Sequence, residues 1–205
     1  IAVVTGANKG IGLEICRQLA SNGITVENLK TCGLSDIIFH QLDVTDQTSI
    51  ASLADFIKTK FKKLDILVNN AGISGITIDD NIANERAKMV LSKGDEHAEE
   101  KVDEVVNQFL KDVKEDMLET KGWPINLSAY VVSKAALNAY SRILATKFPN
   151  FQVNCVSPGF VKTVMNCNNG EFDVEEGAKG PIALALTPAD GPSGLVFDRM
   201  EISSF

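Results

Sequence analysis

The stretch IAVVTGANKGIGLEICRQLASNG, residues 1–23, decides the fold. Ile1 to Val4 form an apolar, mostly β-branched run that reads as a buried strand. From Ile11 onward apolar residues recur at helical spacing until Gly23 supplies a stop. Between them lies TGANKGIG, residues 5–12. Strand, glycine turn and helix together make the setting of a phosphate-binding turn. Gly6 permits the tight turn, Gly10 lets the backbone approach a pyrophosphate, and Gly12 lets helix pack on strand, with the helix N-terminus facing the anion. The spacing is G-x-x-x-G-x-G rather than G-x-G-x-x-G, and by itself it also suits a purely structural turn. Lys9 between the glycines is placed to reach an adenosine 2′-phosphate, which favours NADP over NAD; its plain alternative is a solvated loop lysine.

The elements that follow repeat the alternation. DIIFHQLDV (36–44) reads as a buried strand, TSIASLADFIKTKF (48–61) as an amphipathic helix capped by Thr45 or Asp46, and LDILVNNAG (64–72) as another strand. Alternating strands and helices predict an α/β fold, a Rossmann-type doubly wound parallel sheet. EEKVDEVVNQFLKDVKEDMLET (99–120) puts Val102, Val105, Val106, Phe109, Leu110 and Val113 on one face, predicting an extra surface helix ended by KGWP. A helix holding Tyr130 and Lys134 comes next, then a strand in FQVNCVSPG (151–159), a late helix in VEEGAKGPIALAL (174–186) and a final strand in the tail.

The 205 residues are 44% apolar with a formal net charge of −7, which suits a single domain spanning 1–205 with its own core. An acidic chain without a basic patch argues against nucleic acid or an anionic membrane as partner. No apolar run reaches the roughly 18 residues of a membrane span. Cys16, Cys32, Cys155 and Cys167 fall in no metal-ligand spacing, and the only histidines are His40 and His97, so no metal site is expected. Scattered thiols of this kind fit a reducing, cytoplasmic setting, each read as a small buried hydrophobe. Asp46 and His40 are read as structural.

Two further strand ends carry chemistry. Asp43 and Val44 close one strand, where an aspartate can hydrogen-bond an adenine amino group. NNAG (69–72) closes the next, where backbone and Asn69 are placed against the same ligand. Ligands of open α/β sheets collect outside the carboxyl ends of the strands, so three motifs point to one crevice.

TGxxxGIG, DV, NNAG, YxxxK and PG in this order resemble the short-chain dehydrogenase/reductase superfamily. TGANKGIG, FHQLDVTD, KLDILVNNAG and DGPSG, with a long helix before the tyrosine, more closely resemble the monomeric plant reductases of the menthone (neomenthol) and salutaridine reductase group. The resemblance implies an NADPH-dependent ketone reductase of terpenoids or alkaloids, a monomer with NADP(H) as cofactor and a small apolar ketone as substrate. It assigns Tyr130 as proton donor to the carbonyl oxygen and Lys134 to the nicotinamide ribose. An adjacent ammonium favours phenolate, so the tyrosine is expected to titrate below its usual value near 10. The remaining cofactor contacts implied are Gly6, Asn8, Lys9, Gly10, Ile11 and Gly12, then Asp43 and Val44, then Asn70, Ala71 and Gly72, and finally Pro158, Gly159, Val161 and Thr163. A double-bond reductase on the same scaffold is disfavoured because carbonyl reduction is what needs an acid at Tyr130.

The sequence departs from that family in two places. After ITV (24–26) the end of the second strand and the usual arginine for the 2′-phosphate have no residues to form them. After IDD (78–80) the helix carrying the family's catalytic asparagine and the strand ending in its catalytic serine are missing, and Ser128 lies too close to Tyr130 to replace that serine. A sheet without its central strand leaves apolar edges unpaired. We therefore expect residues to be omitted near Val26–Glu27 and near Asp80–Asn81. The alternative is a non-catalytic NADP-binding protein or an inactive truncated variant.

Overall fold

The apolar run that opens the chain is a parallel strand covered on both faces. The computed structural model describes residues 1–27, 38, 40–72, 82–92 and 98–203. In chain order their elements are β1 (Ala2–Val4), α1 (Gly10–Ser21), β2 (Val26–Glu27), α2 (Gln47–Phe61), β3 (Ile66–Val68), α3 (Glu85–Ser92), α4 (Ala98–Lys114), α5 (Ser128–Lys147), β4 (Cys155–Ser157), α6 (Val174–Ala185), β5 (Val196–Asp198) and β6 (Glu201–Ser203). The chain divides into two units, Ile1–Ile73 with Pro158–Thr187, and Ser74–Ser157 with Pro188–Phe205.

In the first unit the strands run parallel in the order β2-β1-β3, with Ala2 opposite both Val26 and Ile66. Successive side chains of a strand point to opposite faces. Ala2 and Val4 accordingly pack with Ile15, Cys16 and Leu19 of α1 and with Ala178 and Ile182 of α6, while Val3 packs with Leu53 and Ile57 of α2. Burial on both faces is why the strand reads as continuously apolar instead of alternating. Asp46 caps α2, its carboxylate accepting from the Thr48 amide at 2.9 Å.

The second unit has a three-stranded sheet in the order β4-β5-β6, with β4 parallel and β6 antiparallel to β5. Its core joins α3, α4 and α5 through Leu91, Val102, Phe109, Trp123, Val132 and Ile143. Ala135, Ala136 and Ala139 line the buried side of α5, small enough to let the neighbouring helices approach.

Several expectations change. Of the strand expected over 36–44, Ile38 and 40–43 are irregular, and Asp36, Ile37 and Phe39 lie outside the described residues. A strand needs a ladder partner, and among the described residues β2 offers only two. The extra helix stops at Lys114 rather than 120, and Asp116 turns the chain with φ 55°. Its stripe is also narrower, since Leu110 and Val113 are exposed while Asp112 is buried in their stead. The helix α3 and the antiparallel strand β6 are additional to the expected elements.

Cys16 is buried and Cys155 half-buried, as small hydrophobes would be, but Cys167 is exposed at a left-handed turn residue; Cys32 lies outside the described residues. Val26 and Glu27 are successive residues of β2, and Asp80–Asn81 lies outside the described residues. Among the described residues no helix is long and apolar enough to cross a membrane, and no group of three or more His, Cys, Asp or Glu could hold a metal ion.

Candidate active site

The glycine turn of the first unit is clamped from behind by the NNAG segment. The Asn70 side-chain amide donates to the Thr5 carbonyl at 3.0 Å, and the Ala71 amide donates to Thr5 Oγ1 at 2.9 Å. Gly6 has φ 65°, and a Cβ there would stand 2.8 Å from Ala71 Cα. A Cβ on Gly12 would overlap Asn70 Nδ2 and lie 2.7 Å from the Gly6 carbonyl oxygen. Both glycines are therefore required by the way the two loops meet. The N-terminus of α1 has no side-chain cap and no acidic residue in its first turn. Its backbone donors and the positive end of its dipole suit an external anion, and the pyrophosphate of a dinucleotide fits them.

Beside the turn is a cavity of about 260 Å³. Gly6, Ala7, Asn8, His40, Gln41 and Leu42 are among the residues that line it. His40 and Gln41 were absent from the residues expected here, although both fall within FHQLDVTD, residues 39–46, one of the segments that carry the family resemblance. The His40 ring meets Phe56 with centroids 5.1 Å apart, and its Nδ1 lies 2.8 Å from the Gln41 carbonyl. Asp43 and Val44 are exposed and not among the residues lining this cavity. The Asp43 carboxylate instead accepts from the Thr45 hydroxyl (2.7 Å) and amide (2.9 Å), which hold it below the usual carboxylate range.

The PGFVKT segment reaches the same turn. Gly159 has φ 81°, Val161 is buried, and Thr163 lies close to Gly10, where an added Cβ would stand 3.5 Å from Thr163 Cγ2. The structure thus brings Gly6, Gly10, Gly12, Asn70, Ala71 and Thr163 together within the first unit. Asn8 and Lys9 are exposed at the turn, Ile11 is half-buried in the first turn of α1, Gly72 is exposed next to Ala71, and Pro158 is half-buried.

Tyr130 and Lys134 belong to the second unit, one turn apart on α5. Lys134 Nζ lies 5.6 Å from the centroid of the Tyr130 ring. Tyr130 is half-buried and Lys134 exposed, while Val131, Val132, Ala135 and Ala136 turn into the core. The other tyrosine, Tyr140, is differently placed. Its hydroxyl donates to the Asp103 carboxylate of α4, and burial with that acidic partner pushes its pKa up to about 12. A phenol beside an anion resists ionising, whereas one beside an ammonium is helped to do so. Tyr130, by contrast, has the Lys134 ammonium beside its ring.

Residues 1–93 match the short chain dehydrogenase family, and residues 115–189 match the enoyl-(acyl carrier protein) reductase family. The chain is 40% identical over 297 positions to salutaridine reductase of Papaver somniferum, covering 100% of this chain and 96% of the relative. The chain belongs to the short-chain dehydrogenase/reductase family. It is also 42% identical over 288 positions to (+)-neomenthol dehydrogenase of Arabidopsis thaliana, covering 100% of this chain and 97% of that one. Against carbonyl reductase [NADPH] 3 of Mus musculus the identity is 33% over 271 positions, covering 98% and 96%. The solved structure of salutaridine reductase from Papaver somniferum superposes with a TM-score of 0.87 at 39% identity, covering 96% of this chain and 98% of that one. The Rossmann-type fold expected from the opening turn is therefore that of the family. The Papaver somniferum alignment spans 297 positions for the 205 residues of this chain, so that family member has segments with no counterpart here.

Proposed function

We propose that the protein is an NADPH-dependent reductase that delivers hydride to the ketone of a small apolar metabolite of the terpenoid or alkaloid kind. The observation that carries this reading is the placement of the Lys134 ammonium by the Tyr130 ring on one face of α5. It is supported by a glycine turn whose helix N-terminus is left open to an anion and by relatives named as a salutaridine reductase, a neomenthol dehydrogenase and an NADPH carbonyl reductase. Gly6, Asn8, Lys9, Gly10, Ile11 and Gly12 would hold the phosphates, and Thr163 the nicotinamide side. Asn70 and Ala71 support the turn from behind. NADPH, when bound, supplies the hydride. Tyr130 gives its phenolic proton to the carbonyl oxygen as that carbon is reduced, and Lys134 stabilises the phenolate left behind.

Replacing Tyr130 with Phe tests the role. Phenylalanine keeps the packing and removes the proton, so turnover of a cyclic terpenoid ketone should fall about 10² to 10⁴-fold while NADPH affinity, titrated by fluorescence, is unchanged. Retention of more than about a tenth of wild-type turnover would show that Tyr130 is not the acid.

The reading extends to assembly and setting. α4 buries Val102, Val105 and Phe109 in the core shared with α5, and Tyr140–Asp103 and Lys147–Glu99 tie the two helices together. A tyrosine helix covered in this way supports a monomer. The unpaired thiols Cys16, Cys155 and Cys167 support a reducing, cytoplasmic location. The longer alignments support the family's catalytic serine and asparagine lying in segments omitted between the residues numbered here. Native mass spectrometry addresses both points: a single chain heavier than 22.1 kDa is expected, and an oligomer or a chain of that mass would contradict one or the other.

A further inference from the structure

We propose that Asn166 positions Thr163 at the glycine turn and through it sets the affinity for the dinucleotide, an inference that rests on the NADPH reading above. Residues 161–163 run as extended backbone outside the named strands, joined to Phe172 along one edge. On that side the Lys162 amide donates to the Phe172 carbonyl at 2.8 Å, and Val161 bridges to Phe172. Backbone groups alternate in direction along a strand, so the Val161 carbonyl and the Thr163 amide face the other way. The Asn166 side chain meets both. Its Nδ2 donates to the Val161 carbonyl at 2.9 Å, and its Oδ1 accepts from the Thr163 amide at 3.1 Å.

One half-buried amide thus serves as the second ladder for this segment, with its donor and its acceptor each matched to the group it faces. The same Oδ1 lies 3.5 Å from Thr163 Oγ1, so it also restrains the hydroxyl. The chain folds back over Asn166 in a 3₁₀ turn, Val164–Asn166, and the Asn168 amide closes on the Thr163 carbonyl at 2.8 Å. What these bonds hold in place is the Thr163 side chain beside Gly10, the first residue of α1. Asn166 itself need not touch the ligand. Val164 and Met165 on the same turn are exposed, so apolar packing does not hold the turn and the hydrogen bonds must.

The test is a double-mutant cycle on the full-length protein, read as NADPH dissociation constants by fluorescence titration below the melting temperature. Asn166→Ala should weaken NADPH binding about tenfold, the equivalent of one ordinary hydrogen bond. In the Thr163→Ala background the same change should cost less than about twofold, because the residue it acts through is gone. If Asn166→Ala does not fold, Asn166→Asp takes its place in the cycle. It keeps the acceptor toward the Thr163 amide and removes the donor toward Val161. Unchanged affinity in the Asn166 variant, or effects that simply add, would overturn the positioning role, since a merely structural asparagine would lower the melting temperature without coupling to Thr163. A wild-type protein that does not bind NADPH would overturn the cofactor reading and this inference together.

Discussion

Gly12→Ala sets two effects of similar size against each other, and the structure decides the sign. Helix propensity alone favours the change, since alanine is better than glycine inside a helix by about 1 kcal/mol. At this position, however, the new methyl group would overlap Asn70 Nδ2 and stand 2.7 Å from the Gly6 carbonyl oxygen, a backbone atom that cannot swing aside. Overpacking of this kind costs roughly 1–3 kcal/mol. Moving the Asn70 amide away also breaks its 3.0 Å bond to the Thr5 carbonyl, for about 1 kcal/mol more. The net expectation is a loss of roughly 1–3 kcal/mol once the propensity gain of about 1 kcal/mol is set against it. A loss of about 2 kcal/mol corresponds to roughly 4–8 °C in melting temperature for a chain of this size. Urea denaturation followed by circular dichroism measures the difference. Equal or greater stability in Gly12→Ala would refute the argument that the two loops meet as closely as described.

Asp112 should give a pH signature in the second unit. The Trp123 indole and the Gln108 amide donate to its carboxylate, each at 2.8 Å, and hold its pKa below the usual range, the Trp123 bond foremost. A carboxylate lowered by folding contributes its stability above the unfolded pKa near 3.9 and loses it as pH falls through the folded value. Asp112→Asn should therefore be less stable than wild type at pH 7, and urea midpoints at pH 7, 4 and 3 should show the gap closing below about pH 4; a gap that stays constant would refute the assignment. The cysteines should differ in reactivity. Burial pushes the Cys16 thiol up to about 12, whereas Cys167 is exposed. A thiol reagent at pH 8 should label Cys167 in the native protein and Cys16 only after unfolding, as read by peptide mass mapping. Equal labelling of both in the native state would contradict the burial of Cys16.

What the sequence by itself determined is what neighbours within a few residues decide. The strand–turn–helix at residues 1–23, the start of α2 at a Thr45 or Asp46 cap and the spacing of Tyr130 and Lys134 depend on local backbone preference and helical periodicity, so they could be read directly, although only the structure chose Asp46 as the cap. The length of α4 and the identity of its buried face could not, because the hydrogen bonds of Asp112 to Trp123 and Gln108 bury a charged residue where periodicity alone would place an apolar one. That Asn166 would brace the extended segment at 161–163 could not be read from the sequence either. Asn70 makes the point most plainly. Its position in NNAG suggested a ligand contact, yet its amide is held by Thr5, 65 residues earlier. A side chain's polar atoms bind whatever the fold brings within about 3 Å of them, and that partner comes from distant parts of the chain. Local pattern therefore decides which element a residue enters, and only the tertiary structure decides which group it serves.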